Sequence, residues 1–231
     1  MSRLGSVLDP TRIPSILSAF ERAWEGQPDL SLAQFVGVLQ NRGLGWAATD
    51  DEALDLLREL ELEHPSLIDA TSSPHTMSTI DPPHLVTLQR EYVVVRSGTS
   101  PERMPAVWRW SAMRRTGPGL PLVIADADEV EHRLGVVSLV TRLGEPEASI
   151  DNAQRNVGSK RWLVVFDDGA RAVVGQKIRV WRIRRREVVS ERISWSEILV
   201  CEAGEEMKIA PAGGGKPVTL GLVERVLKLE G

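Results

Sequence analysis

Trp162-Leu163-Val164-Val165-Phe166, then Asp167-Asp168-Gly169, then Ala170-Arg171-Ala172-Val173-Val174 is the stretch whose reading decides the fold class. Aromatic and β-branched residues crowd both sides of an Asp-Gly pair, and glycine there supplies the left-handed backbone that a tight hairpin needs. The same pattern repeats outward in both directions. Toward the C-terminus, residues 178–183 and 187–193 flank Arg184-Arg185-Arg186 as a second hairpin, and residues 198–201, 207–209 and 218–229 read as further strands. Toward the N-terminus, Leu122-Val123-Ile124 and residues 131–134 flank the acidic turn Asp126-Ala127-Asp128, and residues 135–140 read as a separate strand. Val86 and Leu88 alternate with polar neighbours, and Tyr92-Val93-Val94-Val95 is a short strand-forming run. Residues 101–119, rich in Pro and Gly around Trp108-Arg109-Trp110, read as irregular, and residues 144–159 as a polar loop. About nine or ten short strands with turns between them predict a barrel or sandwich rather than alternating βα units.

Before residue 66 the apolar period is that of a helix. Thr11 is placed to cap a first helix with Ile13, Ile16, Leu17, Phe20 and Trp24 on its buried face, stopped by Gly26 and Pro28. Ser31 and Gln34 form a capping box for a second helix buried through Leu32, Phe35, Val36 and Leu39. Thr49 and Glu52 repeat the device for a third, with Leu54, Leu56, Leu57 and Leu60, and Pro65 closes it. Asp50, Asp51 and Glu52 lie in its first turn, where the helix dipole favours negative charge. The expected fold is therefore α+β: a three-helix domain over residues 1–65, a linker over 66–84 rich in Ser, Thr and Pro, and a β-rich domain over 85–231.

The residues Ile16-Leu17, Ala23-Trp24, Gln27-Pro28-Asp29-Leu30-Ser31-Leu32 and Gln34-Phe35, followed by Asp50-Asp51 and Leu54, resemble the small YihD-like bacterial proteins. The resemblance covers residues 11–62 alone. It implies a small helical fold and a cytoplasmic setting, and it contributes no catalytic residue.

Charge divides the chain at the same place. Residues 1–80 carry 5 Lys/Arg against 12 Asp/Glu, whereas residues 81–231 carry 23 against 20. The basic excess concentrates in residues 155–192, with 11 basic and 4 acidic side chains. Such a local basic stretch is a candidate contact for phosphates. Lys177, Arg179, Trp181, Arg182, Arg184, Arg185 and Arg186 are its core, with guanidinium groups for phosphates and an indole for stacking on a base. The plain alternative is a solvated hairpin tip whose arginines pair with Glu187 and Glu191.

Trp108, Arg109 and Trp110 form a candidate partner-binding ridge, as does Trp46 between the second and third helices, because Trp and Arg dominate interface hot spots. The alternative places the two indoles over the open end of a β core. Catalytic and metal-binding signals are weak. Asp126, Asp128, Glu131 and His132 suggest a small metal site or a solvated turn, with the turn preferred. The single cysteine, Cys201, ends an apolar run and reads as a small buried hydrophobe, and its solitude precludes an internal disulfide. Gly213-Gly214-Gly215-Lys216 departs from a phosphate loop, since Ala210 and Pro217 replace required residues. No catalytic residue, metal ligand or cofactor is assigned. No signal peptide or membrane-spanning run is recognised, and a cytoplasmic location follows.

These readings lead to a non-enzymatic interaction or adaptor protein, with an acidic helical module docking another protein and a β-rich binding module. A nucleic-acid-binding protein using the 177–186 hairpin is the alternative. A hydrolase or nuclease with a site assembled from distant Asp, Glu and His residues is the third.

Overall fold

A computed structural model describes residues 9–72, 74–144, 147–185 and 187–230. Helices α1 (Arg12–Glu25), α2 (Leu32–Asn41) and α3 (Asp50–Glu63) precede thirteen strands among the described residues, so the α+β class holds. Both capping boxes form. Ser31 Oγ accepts from Gln34 N, and Thr49 Oγ1 accepts from Glu52 N, while each partner's side chain accepts from the cap's own amide. The Thr11 cap does not form. Thr11 has helical dihedrals and its side chain caps nothing; the Asp9 carboxylate instead accepts from Thr11 N and Thr11 Oγ1 at 2.9 and 2.7 Å. Asp9 reaches the amide two residues on, as aspartates before a proline commonly do.

The helical core is small and aromatic-centred. Ala19 and Ala23 of α1, Phe35 and Leu39 of α2, and Leu57 and Leu60 of α3 are buried, and Phe20 meets Phe35 edge-on at 5.0 Å. Because α1 turns its alanines inward, its backbone lies close to the rest of the core. The expected buried face is thereby rotated: Leu17 is 62% and Ile13 46% exposed. Leu32, at the start of α2, is likewise exposed.

The chain enters the β region under constraint. His64, which caps α3, places Nδ1 3.0 Å from the Val140 carbonyl, and the Gly26 backbone lies so close to the His64 carbonyl that a Cβ would meet it at 1.9 Å. Ile68 exchanges two backbone hydrogen bonds with Thr116 and is buried in the core beyond. Part of the expected linker is strand. β1 (His75–Ile80) buries His75, Met77 and Thr79 alternately, a period-2 pattern masked by its polar composition.

β1, β2 (His84–Leu88), β3 (Tyr92–Ser97), β4 (Ala106–Met113), β5 (Pro121–Asp126) and β6 (Glu131–Arg142) close into a six-stranded barrel, sealed by antiparallel pairing of β1 with β6. Two expectations change here. Residues expected to be irregular include β4, whose register with β3 sets Trp108 opposite Val93. The two strands expected over 131–140 are one bent strand, with Gly135 at φ +97°; a Cβ there would meet the Ile80 carbonyl at 2.5 Å. Only glycine fits that bend.

A second sheet follows, in the order β10-β9-β8-β7-β13-β12-β11. Its strands are β7 (Arg161–Phe166), β8 (Arg171–Val174), β9 (Ile178–Arg184), β10 (Glu187–Ile193), β11 (Trp195–Val200), β12 (Glu206–Pro211) and β13 (Val218–Glu230). The predicted β7–β8 hairpin forms with Gly169 at φ +81°. This sheet curls over its own core, in which Trp195 of β11 donates its indole N–H to the Gly175 carbonyl at 2.9 Å. Residues 149–157 are more than a polar loop: Ile150, Ala153 and Val157 pack into that core, and the backbone bridges to β11 and beyond it.

The β-rich part thus holds two cores, joined by a third cluster. Val94, on the outside of the barrel, packs with Leu163 and Val165 of β7 and Leu227 and Leu229 of β13. Their neighbours Trp162, Val164, Phe166 and Val226 point the other way, into the sheet's own core. β7 and β13 are therefore covered on both faces, which is why residues 162–166 read as an unbroken apolar run. Thr76 and Thr87 of the barrel donate to the Leu229 carbonyl at 2.8 and 3.3 Å, and Gln89 donates to the Lys228 carbonyl at 2.5 Å. Each apolar side chain in this joint contributes roughly 1.5–3 kcal/mol on burial.

Leu163→Ala is expected to cost about 2–5 kcal/mol, seen as a lowered urea midpoint. Leu62→Ala, at a side chain 60% exposed, should stay within about 0.5 kcal/mol of the parent.

Candidate functional site

Strand alternation decides the fate of the basic hairpin. Arg179 pairs in register with Arg192 of β10, and Trp181 with Ser190, which sets Arg179, Trp181 and Arg192 on one face of the sheet. Arg182 and Arg184 take the other face with Val180. Arg182 is held there by Glu191 at 3.8 Å and donates to the Leu220 carbonyl at 3.0 Å. Arg185 sits at the exposed turn with φ +56°, and Arg186 lies outside the described residues. Trp181 is buried, with its indole N–H donating to the Glu102 carbonyl at 2.6 Å. It forms a wall instead of an open stacking platform. The six of these residues that are described do not make one basic surface.

Lys177, Arg179 and Trp181 belong to a different arrangement. They line a cleft of about 430 Å³ between the barrel and the second sheet. Arg161 and Arg192 enter it from the sheet, and Arg96 and Arg103 from the barrel side. The remaining wall includes Leu85, Pro101, Pro105 and Val173, and no carboxylate lines it among the described residues. Arg96 pairs with Glu230 at 2.6 Å, and its Nε is buried without a hydrogen-bond partner. Among the described residues, Arg103, Arg161, Lys177, Arg179 and Arg192 have no carboxylate partner. Arg161 instead donates to the carbonyls of Gly158 and Lys160, and Arg179 lies 5.8 Å from the Trp181 ring centre. The 155–192 charge excess signals the sheet's share of this cleft. Nothing in the sequence links Arg96 and Arg103 to it, because the barrel's placement alone brings them there.

Trp108 and Trp110 turn inward and pack against the barrel core. Trp110 donates to the Gln89 carbonyl at 2.8 Å, and the Trp108 ring lies 4.9 Å from that of His132. They cover the core, so the expected ridge of exposed indoles is absent there. Arg109, on the opposite face, donates to the Tyr92 hydroxyl at 2.9 Å. Trp46 is fully exposed. A second exposed apolar feature went unread in the sequence: Leu17, Phe20, Trp24 and Pro28 line a groove of about 530 Å³, flanked by Glu21 and Glu25. Helical periodicity placed Leu17, Phe20 and Trp24 together but could not show that Leu17 stands clear of the core while Phe20 and Trp24 are only half covered by it.

Asp126 accepts from His132 Nε2 at 2.8 Å and from the amides of Asp128 and Val130, and the His132 contact foremost holds its carboxyl below the ordinary range. Glu131 turns to Arg114 at 2.7 Å. Among the described residues no group of three or more His, Cys, Asp or Glu could hold a metal ion, and no helix is long and apolar enough to cross a membrane. Gly213, Gly214 and Gly215 lie in the exposed connection between β12 and β13. Cys201 is buried, and burial pushes its thiol up to about 12. A thiol-labelling reagent at pH 8 should therefore modify Cys201 in the urea-unfolded chain and leave the folded protein unmodified over the same period.

Comparison of this chain with protein-family models, with curated proteins and with solved structures gives no match.

Proposed function

We propose that this protein is a non-enzymatic adaptor whose helical module docks a basic amphipathic helix of another protein. The observation that carries this reading is the partly uncovered apolar stripe on α1. Ile13 and Leu17 are one turn apart and exposed, and the stripe continues into the groove formed by Phe20, Trp24 and Pro28. Residues three and four apart share a helix face, so Ile13, Leu17, Phe20 and Trp24 lie along one side of α1. Apolar side chains of this size gain roughly 1.5–3 kcal/mol each when fully covered.

Charge complementarity selects the partner. Glu21 and Glu25 flank the groove, and the first 80 residues carry 12 acidic against 5 basic side chains. A partner helix with an apolar stripe and lysines or arginines beside it matches both features, and laying such a helix into a groove is a recurrent mode of recognition. The acidic rim repels an acidic helix of the same apolar pattern. On this reading residues 11–62, which resemble the YihD-like proteins, are the docking part, and the β-rich part is a second binding module. The alternative, nucleic-acid binding by the 177–186 hairpin, has less support, since Arg182 and Arg184 face away from Arg179 and the Trp181 ring is buried.

The test is a chemical-shift titration of the isotope-labelled full chain with a short Leu/Lys amphipathic peptide. Shifts are expected to concentrate at Leu17, Phe20 and Trp24, with affinity falling roughly tenfold or more in Leu17→Glu. A Leu/Glu peptide of the same pattern should not bind. Equal binding of both peptides, or shifts centred away from α1, would contradict the proposal.

A further inference from the structure

We infer that the basic cleft between the barrel and the second sheet is a binding site for a small ligand bearing two or more adjacent phosphates joined to a flat apolar group, the chemistry of a nucleoside di- or triphosphate. This stands apart from docking on α1, since the two sites lie on different modules and share no residue.

The cleft concentrates positive charge that the protein neutralises only at Arg96, through Glu230. Among the described residues, six basic side chains line it, five of them without a carboxylate partner, and no carboxylate does; Glu230 engages Arg96 from outside the lining. Like charges lining one cleft raise the energy of the empty site and favour an anion that bridges them. A single carboxylate or monophosphate offers too few oxygens for cations arriving from two sides. Arg103 belongs to the connection after β3, whereas Arg179 and Arg192 are paired residues on neighbouring strands of the other sheet. A chain of adjacent phosphates offers oxygens in several directions, and arginine forks suit such bidentate contacts.

Two further properties narrow the ligand. The volume, about 430 Å³, falls within the usual range for small-molecule sites, and Leu85, Pro101, Pro105 and Val173 supply an apolar surface beside the cations. That surface is wasted on bare polyphosphate and suits a planar base. The basic surface does not extend as a track for a nucleic-acid strand, because Arg182 and Arg184 occupy the sheet's other face. Trp181 is also held edge-bound by Glu102 and is closed to successive bases.

Isothermal titration calorimetry of the full chain with adenosine triphosphate, pyrophosphate, adenosine and a single-stranded oligonucleotide tests the inference. Saturable binding of the triphosphate is expected, with weaker binding of pyrophosphate and none of adenosine. Arg179→Ala and Arg103→Ala should each weaken the triphosphate by roughly tenfold, the size of one charge-assisted hydrogen bond. Arg184→Ala, on the far face, should leave it unchanged. Arg103 lies exposed in a connection, so its variant reports on binding even where Arg179→Ala perturbs folding. Absence of saturable triphosphate binding, or binding unaffected by Arg103→Ala, overturns the site. Pyrophosphate binding as tightly as the triphosphate overturns the nucleotide assignment. Tighter binding of the oligonucleotide, sensitive to the same variants, replaces it with a nucleic-acid site.

Discussion

The structure depends on the burial of β7 and β13 on both faces. Val164 and Phe166 face one core while Leu163 and Val165 face the barrel, and Val226 and Leu227 divide in the same way on β13. A strand buried twice cannot shift by one residue without exchanging the contents of two cores, so its register is strongly specified. The same packing sets the distance between the barrel and the second sheet. Hydrogen bonds from Thr76, Thr87 and Gln89 to carbonyls near the end of β13 then hold that distance with directional contacts.

The basic cleft is a consequence of this joint. Where the apolar contact ends, the loop between β3 and β4 reaches across to the sheet. Trp181 donates to Glu102 and Arg171 donates to Pro105 at that crossing. Burial lowers Arg171 from the usual guanidinium value, and the Pro105 carbonyl offers it a partner there. Beyond these two anchors lies the cleft, lined from the sheet by Arg161, Lys177, Arg179 and Arg192 and from the barrel side by Arg96 and Arg103. A site built from both β modules is only as well defined as the joint between them. The helical module is tied on by different means, through His64 on the Val140 carbonyl and Ile68 in the barrel core.

Much of the architecture was legible because it rests on local chemistry. The capping boxes at Ser31 and Thr49 and the Asp-Gly hairpin at 168–169 are decided within a few residues, and each forms as expected. Three features were not legible. β1 is polar in composition, and its alternation emerges only once His75, Met77 and Thr79 are seen to be buried. The bent β6 depends on the close approach of the Ile80 carbonyl to Gly135, a contact across 55 residues of sequence. Trp108 and Trp110 carry the same residue types whether they cover a core or meet a partner, and only the barrel's closure decides between these. The site residues follow the same logic. Lys177, Arg179 and Trp181 were singled out from the local charge excess, but their grouping with Arg96 and Arg103 is tertiary. Conversely, Arg182 and Arg184 belong to the same sequence run and are separated by the period of a strand.

The most direct test of the account is native-state hydrogen exchange across the joint, with residue-level resolution. If the two β modules are one cooperative body, the amides of β3, β7 and β13 exchange through a shared opening and report the same free energy over a range of urea concentrations. Exchange of β3 at a markedly lower free energy than β7 and β13 would contradict the account, because it would show the barrel opening while the second sheet stays closed.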